Sequence, residues 1–372
     1  MGSLSPQSPS QSSQQNPPSN CGIFASFCSR DASPNSKTNI SNWIECYNPS
    51  INAWHHVTRI PGLIENHALK DFSMVSIGNS IYIIGGRLCN KLPGHVQDEV
   101  DLEVRSSVLR YSIRDKEWYK CASLKTPRFD FACTVSDNKI YVAGGKCMLT
   151  CPRGISSAEV YDPALDEWKT LPKMSSLRHK CVGVTWQGKI YVMGGFAERG
   201  DSNNTEGPWH TLERSSAEVY DSESDKWDLM LGMWQLDVPP NQIVAVNGNL
   251  FSSGDCLNAW KGHIEAYDGK LNIWNEVDGS HLETLSSPVS TSDATEANWP
   301  PIQRLYLSMA PIGTHLYFLA GYRMPGEKSR SMSVVHVFDT SANKYGWRSF
   351  EPMEEEGEKE LCSHCCVAIQ TL

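Results

Sequence analysis

The segment YDPALDEW at residues 161–168 begins with Tyr161 and ends with Trp168, seven positions later. The same spacing recurs at four other places in the chain, and a sixth aromatic pair is longer by two residues. The pairs are Tyr47/Trp54, Tyr111/Trp118, Tyr161/Trp168, Tyr220/Trp227, Tyr267/Trp274 and Phe338/Trp347. A unit that recurs along a chain is typical of a repeat architecture, so the aromatic spacing predicts structural residues rather than a cofactor site.

Most repeats also contain an apolar strand that ends in glycines or other small residues. These strands are IYIIGG (81–86), IYVAGG (140–145), IYVMGG (190–195), LFSSGD (250–255) and LYFLAG (316–321). The clearest copy contains the strand at 190–195. Residues 179–186 predict an inner strand before it, and residues 216–221 and Trp227 predict two strands after it. Four antiparallel strands with apolar residues on both faces are not stable alone, and radial packing of such sheets buries both faces. The repeats therefore predict an all-β propeller.

The two ends of the chain supply the pieces of one shared blade. Five complete blades have predicted inner strands near residues 72–77, 131–135, 181–186, 242–246 and 305–310. SHCCVAIQ (363–370) has the character of a sixth inner strand, while GIFAS (22–26), WIECYN (43–48) and Trp54 supply the other three strands. We therefore predict a six-bladed β-propeller over residues 21–372, closed by one strand from the C-terminus and three from the N-terminus.

Composition and charge narrow the class of protein. The net charge of −9 argues against binding to the phosphate backbone of nucleic acids. The sequence contains no run of about 18 apolar residues, so it does not predict a membrane span. Residues 1–20 are rich in Ser, Gln and Pro and predict a disordered tail rather than a signal peptide. Thirteen cysteines without such a signal indicate a reducing compartment, so we expect a protein of the cytoplasm or nucleus. We also expect a monomeric propeller.

Several connections are longer than a hairpin requires, and long loops in compact domains are usually functional or disordered. They comprise residues 87–107, 146–157, 196–215, 279–303 and 322–333. With four strands per blade, these connections all emerge on the same face of the propeller. The acidic run EEEGEKE (354–360) is expected to be a solvated loop.

Three arginines are the sharpest candidates for a partner-binding site. Arg128, Arg178 and Arg304 each lie sixteen residues before the small-residue end of the second strand. This register predicts that they converge on the mouth of the central channel, where forked donors receive carboxylates or a phosphorylated peptide. The alternative is that each arginine pairs with a carboxylate or carbonyl of its own ring. Trp209, Trp260 and Tyr322 are further candidates, because tryptophan, tyrosine and arginine dominate interface hot spots.

The segments SSAEVYDPALDEWKTLPKM (156–174) and LRHKCVGVTWQGKIYVMGGF (177–196) resemble kelch repeats, and in particular the plant F-box/kelch-repeat proteins. This resemblance implies a kelch propeller that binds protein partners. In that family an F-box binds a ubiquitin-ligase core and the propeller recruits a target. The chain shows no helical segment of the length of an F-box, so the resemblance is expected to cover the propeller alone.

Motifs for catalysis are missing from the sequence. It contains no GxxxxGK[ST], no GxSxG and no HExxH. It also lacks the ExxxDxxxH iron motif of specifier proteins and paired histidines for a copper site of the galactose oxidase type. Two cysteine groups invite a metal or redox interpretation, but neither has the spacing of a zinc framework. They are Cys147/Cys151 and Cys362/His364/Cys365/Cys366.

The sequence therefore predicts a non-catalytic protein-interaction module, without catalytic residues, metal or cofactor. A first alternative is the substrate-recognition part of a ubiquitin-ligase adaptor. A second alternative is an enzyme, for example a metal-dependent lyase, acting in the channel mouth.

Overall fold

The computed structural model describes the chain from Cys21 to Ile369, with gaps. The described residues are 21–30, 41–64, 66–91, 99–199, 213–236, 238–255, 263–280, 304–323, 330–341 and 346–369. Residues 1–20, predicted as a disordered tail, lie outside the described residues.

The regular elements of the described residues are thirty β-strands. The strands of the first half are β1 (Cys21–Ser29), β2 (Trp43–Asn48), β3 (Ala53–Arg59), β4 (His67–Lys70), β5 (Ser73–Ile77), β6 (Ser80–Ile84), β7 (Arg87–Lys91), β8 (Glu99–Val104), β9 (Val108–Ser112), β10 (Glu117–Cys121), β11 (Ala132–Ser136), β12 (Lys139–Ala143), β13 (Ala158–Asp162), β14 (Glu167–Leu171) and β15 (Ser176–His179). Those of the second half are β16 (Val182–Trp186), β17 (Lys189–Met193), β18 (Phe196–Arg199), β19 (Ala217–Asp221), β20 (Lys226–Met230), β21 (Ile243–Val246), β22 (Asn249–Ser252), β23 (Glu265–Asp268), β24 (Ile273–Glu276), β25 (Arg304–Ile312), β26 (His315–Arg323), β27 (Arg330–Asp339), β28 (Trp347–Ser349), β29 (Met353–Glu356) and β30 (Lys359–Ile369).

Six sheets of the described residues each contain a run of four antiparallel strands. From the innermost strand outwards, the runs are β5-β6-β9-β10, β11-β12-β13-β14, β16-β17-β19-β20, β21-β22-β23-β24, β25-β26-β27-β28 and β30-β1-β2-β3. In the fifth sheet β29 also pairs with β27. This all-β arrangement is consistent with the propeller that the repeats predict.

The innermost strands line one central channel. Each of β5, β11, β16, β21, β25 and β30 contacts the next, and β30 contacts β5 again. The channel between them has a volume of about 800 Å³. The six predicted inner strands therefore lie side by side around a common axis.

The sheet shared by the two chain ends forms as predicted. In it, β30 pairs with β1, and Ile23 lies opposite Val367. On the other side of β1, Ile23 lies opposite Tyr47 of β2. The C-terminal strand thus completes a sheet whose other three strands come from the first 59 residues.

The repeated aromatic pairs join each sheet to its neighbour. In all six pairs the two rings lie 5.0–5.4 Å apart, centre to centre. The Tyr161 hydroxyl donates a hydrogen bond of 2.6 Å to Asp166, which closes its hairpin. The Trp168 indole donates one of 2.9 Å to the carbonyl of Ala122, in the preceding repeat. The indoles of Trp227 and Trp274 likewise donate hydrogen bonds to the carbonyls of Pro172 and Met233. These aromatic residues are structural, as their spacing predicts.

The acidic run at 354–360 is not a solvated loop, because it enters β29 and β30 and meets buried positive charges. Lys359 is buried, and its ammonium lies 2.7 Å from the carboxylates of both Glu45 and Glu355. It also lies 4.4 Å from the ring centre of Phe27. The following residue, Glu360, binds lysines from another part of the chain. Partners distant in sequence thus hold a charged stretch inside the fold.

The long connection 87–107 also differs from the expected loop. Its strands β7 and β8 pair with each other, and β7 pairs with β4, which gives an additional three-stranded sheet. Lys70 of β4 and Lys91 of β7 both contact Glu360 of β30, at 2.7 and 3.1 Å. The additional sheet is therefore anchored to the strand that closes the ring.

Candidate functional site

The two ends of the sheets differ in their connections. At one end, the first and second strands of five sheets are joined by two residues, and the third and fourth strands of five sheets by four residues. We call this end the turn face. At the other end lie the additional sheet β4-β7-β8, the paired strands β15 and β18, and the connection 146–157. We call this end the loop face. In proteins built from rigid strands, binding residues often lie on longer connections of this kind.

Arg128 lies inside its sheet rather than at the channel mouth. Its side chain is 0% exposed, and it donates hydrogen bonds to the carbonyls of Gly144 and Ser157 at 2.8 and 3.0 Å. It also forms a buried ion pair of 2.7 Å with Glu159. The Glu159 carboxylate in turn accepts hydrogen bonds from the backbone N–H groups of Lys125 and Thr126. The arginine and glutamate together hold the link between two repeats against the sheet.

Arg178 occupies the equivalent position one repeat later. It is also 0% exposed and donates to the carbonyls of Gly194, Glu213 and Ser216 at 3.0–3.2 Å. The buried carboxylate of Glu218 lies 3.9 Å from its Nε and accepts from Ser176 at 2.9 Å. Burial lowers the pKa of Arg178, and the Glu218 charge opposes that shift.

The expected convergence of the arginines on the channel is therefore not seen for Arg128 and Arg178, and neither residue lines the channel. The geometry matches the alternative, in which each arginine pairs within its own ring, because every near acceptor belongs to its own repeat. A role in partner binding stays a prediction for both residues.

Arg304 differs from the other two because it is partly exposed, and it lies opposite Tyr322 in the sheet. Tyr322 is buried, and its hydroxyl has no hydrogen-bond partner. Trp209 and Trp260 lie outside the described residues. The structure thus leaves the proposed interface roles of these four residues as predictions.

Glu159 and Glu218 neutralise the buried arginines, and neither is among the candidate residues predicted from the sequence. The signal was present, because SSAEVYD occurs at both 156–162 and 215–221 with its glutamate at the same place. A glutamate repeated within an apolar strand predicts a buried partner of opposite charge, since carboxylates are almost never buried unpaired.

The loop-face mouth of the channel carries Asp71, Asp130 and Lys180, one before each of three inner strands. All three have positive φ angles, of 53°, 53° and 52°. Their backbones form a chain of hydrogen bonds around the rim, since Asp130 N donates to Asp71 O and Lys180 N donates to Asp130 O. The rim thus holds two carboxylates and an ammonium at fixed positions facing the channel.

Asp130 has the most perturbed carboxyl group of this rim. Burial, followed by the negative charge of Asp71, raises its pKa to about 7, although Lys180, Arg87 and Lys146 act in the opposite direction. Arg87 is itself bound to Asp71 at 2.5 Å. Asp130 therefore changes its charge near neutral pH, which makes the rim sensitive to pH.

We expect Asp130→Asn to stabilise the protein at pH 8 but not at pH 4. A carboxyl whose pKa is raised in the folded state favours folding at low pH, and this contribution is lost as pH rises through the folded pKa. The free energy of unfolding of the variant, relative to wild type, should therefore increase by about 4 kcal/mol between pH 4 and pH 8. Urea denaturation of both proteins across this range measures the difference, and a difference independent of pH would contradict the assignment.

The cysteines of the group at residues 362–366 do not gather around one point. Cys362 and Cys366 pack with one apolar cluster, whereas Cys365 between them packs with another. Within the described ranges, no group of three His, Cys, Asp or Glu side chains is placed to hold a metal ion. In the same residues no helix is long and apolar enough to cross a membrane.

Comparison with known proteins agrees with the repeats. A model of the kelch motif matches residues 127–175 and 177–230, each running from just before a buried arginine to the outer strand of its sheet. The F-box/kelch-repeat protein At1g16250 of Arabidopsis thaliana is 35% identical over 84% of this chain and 76% of its own length. The mouse Kelch-like protein 36 is 27% identical over 50% of this chain and 26% of its own length.

Coverage of the relatives varies. The F-box/kelch-repeat protein SKIP30 of Arabidopsis thaliana is 30% identical, but the match covers 40% of this chain and 41% of the relative. The similarity to At1g16250 extends over most of both chains and includes both matched motifs. The chain therefore belongs to the kelch-repeat family and is related to the plant F-box/kelch-repeat proteins.

Proposed function

We propose that the six sheets are the blades of a six-bladed kelch propeller over residues 21–372, and that this propeller binds another protein through its loop face. The binding is non-catalytic. The propeller acts as a monomer in the cytoplasm or nucleus, and Arg128 and Arg178 support the loop face from within.

The observation that carries this proposal is the difference between the two faces. The turn face has connections of two or four residues, which leave little chain for a partner to contact. The loop face has additional strands and a channel rim with charged side chains. A surface with varied side chains on rigid strands is suited to selecting one protein partner.

The relatives favour a narrower proposal for the pathway. Because those in Arabidopsis thaliana carry the name F-box/kelch-repeat protein, we propose recognition of a ubiquitin-ligase target as the first specific role. The partner would then be a ligase subunit or its target.

Two matched triple variants test the face that binds. The loop-face variant changes Val100, Leu102 and Met148 to Asp, and the turn-face variant changes Ile51, Leu165 and Leu271 to Asp. All six side chains are apolar and between 44 and 70% exposed, so neither variant removes a buried contact. Affinity capture should recover the same partner with wild type and the turn-face variant, and at least tenfold less with the loop-face variant. Loss of the partner in the turn-face variant alone would contradict the proposal.

The competing class is an enzyme that acts at the channel mouth. Elemental analysis of the purified protein separates the two classes, since a metal-dependent lyase requires bound metal. A transition metal in stoichiometric amount would contradict a pure binding module.

A further inference from the structure

Two cysteines meet where the first and last strands of the ring pair. Cys28 of β1 lies opposite Glu360 of β30. Cys362 follows two residues later, where the register of the two strands shifts between Ser26 and Phe27. Both side chains are buried in the same apolar cluster. The shift thus brings two thiols from opposite ends of the chain together.

A lysine lies beside one of these thiols. The ammonium of Lys91 is 3.3 Å from the Cys28 sulfur, 2.6 Å from the carbonyl of Ser29 and 3.1 Å from Glu360. An ammonium group at this distance favours a thiolate, which is the reactive form of cysteine. Lys91 is buried and belongs to the additional sheet, so its position is fixed by the fold.

The two thiols differ in acidity. A hydrogen bond from Cys362 lowers the pKa of Cys28, and the charge of Lys91 acts in the same direction. Burial acts in the opposite direction but does not cancel the shift. Burial and the neighbouring Cys28 raise the pKa of Cys362 well above its ordinary value. The pair therefore combines a nucleophilic sulfur with a neutral thiol that can react with it in a second step.

The channel brings small molecules to Cys362, beside which Cys28 is fully buried. Cys362 lines the channel, as do Cys133, Cys181, Cys365 and Cys366. Burial raises the pKa of each of these other four thiols, so they stay neutral. Reaction with an oxidant in the channel should therefore favour the Cys28/Cys362 pair over the other channel cysteines.

We propose that Cys28 and Cys362 form a dithiol site that hydrogen peroxide oxidises to a disulfide. The Cys28 thiolate attacks one peroxide oxygen, the O–O bond breaks, and a sulfenic acid forms as hydroxide leaves and takes up a proton to become water. The Cys362 sulfur then attacks the Cys28 sulfur, loses its proton, and the sulfenic hydroxyl leaves as a second water. One peroxide is reduced to two waters while two thiols are oxidised to one disulfide.

The disulfide would join the strand that opens the ring to the strand that closes it. A cross-link between residues so distant in sequence restricts the unfolded chain strongly, provided that the native geometry accepts it. Oxidation should therefore hold the shared sheet closed. This inference is independent of which partner the loop face binds.

The test treats folded wild-type protein with hydrogen peroxide, alkylates the remaining thiols and maps disulfides by mass spectrometry. We expect a peptide pair that contains Cys28 and Cys362, together with a rise in the melting temperature of about 5 °C that a dithiol reductant reverses. Recovery of both cysteines as alkylated thiols would overturn the proposal, even if other cysteines were oxidised.

Two variants sharpen this result. Cys362→Ser should leave the Cys28 sulfenic acid without its partner, so a dimedone adduct should form at Cys28. The matched control Cys366→Ser changes another channel cysteine and should form the disulfide as wild type does. A dimedone adduct at Cys366 rather than Cys28 would contradict the assigned nucleophile. If Cys362→Ser does not fold, the disulfide map of wild type decides alone.

Discussion

Removal of residues 363–372 is expected to abolish the cooperative thermal transition of the protein. The deletion removes most of β30, which supplies one wall of the channel and pairs with β1 on its inner side. Ile23 and Phe24 of β1 would lose the residues that pair with them, Val367 and Cys366, although both are fully buried in the intact fold. An exposed apolar edge of this kind also favours aggregation.

Circular dichroism and calorimetry of the truncated protein measure this effect, and a melting temperature equal to that of wild type would contradict the shared sheet. A peptide of residues 359–369 provides the control, because it contains the whole of β30. The peptide added in trans should restore a cooperative transition, whereas a scrambled peptide of the same composition should not.

Arg178→Ala is expected to destabilise the protein by about 3–5 kcal/mol, as for removal of one partner from a buried ion pair. The substitution leaves Glu218 buried without its counter-charge and removes the donor to the carbonyl of Gly194. Urea denaturation measures the loss. Arg153→Ala is the matched control, since Arg153 forms an exposed ion pair with Glu198 and its loss should cost less than about 1 kcal/mol.

The same variant separates the two interpretations of the arginines. If Arg178 acted mainly at an interface, Arg178→Ala would weaken partner capture with little change in stability. We expect instead that Arg178→Ala lowers stability more than it weakens partner capture, because the guanidinium has no exposed surface. A stability change below about 1 kcal/mol would contradict the buried role.

The ring and its closing sheet could be predicted because their signals repeat. The Tyr/Trp spacing recurs in five hairpins whose turns have the same length, and the longer Phe338/Trp347 pair spans a longer turn. The closing strand could be recognised because β30 has inner-strand character without a following partner. Periodicity of this kind survives in a single sequence, since every copy reports the same local geometry.

The direction of the arginine side chains could not be predicted in this way. Register places Arg128 and Arg178 before their inner strands, but it does not say whether the guanidinium enters the channel or the sheet. The answer depends on Glu159 and Glu218, which lie 31 and 40 residues later. The surroundings of the acidic run at 354–360 could not be predicted for the same reason, because Lys70 and Lys91, which bind Glu360, lie more than 260 residues away.

The proposed partner is a protein that binds the loop face. Cross-linking of the captured complex with a lysine-reactive reagent tests it most directly, because lysines lie on both faces. We predict cross-links from the partner to Lys146 and Lys180 on the loop face, and none to Lys116, Lys139 and Lys189 on the turn face. Cross-links confined to the turn-face lysines would show that the partner binds the turn face instead.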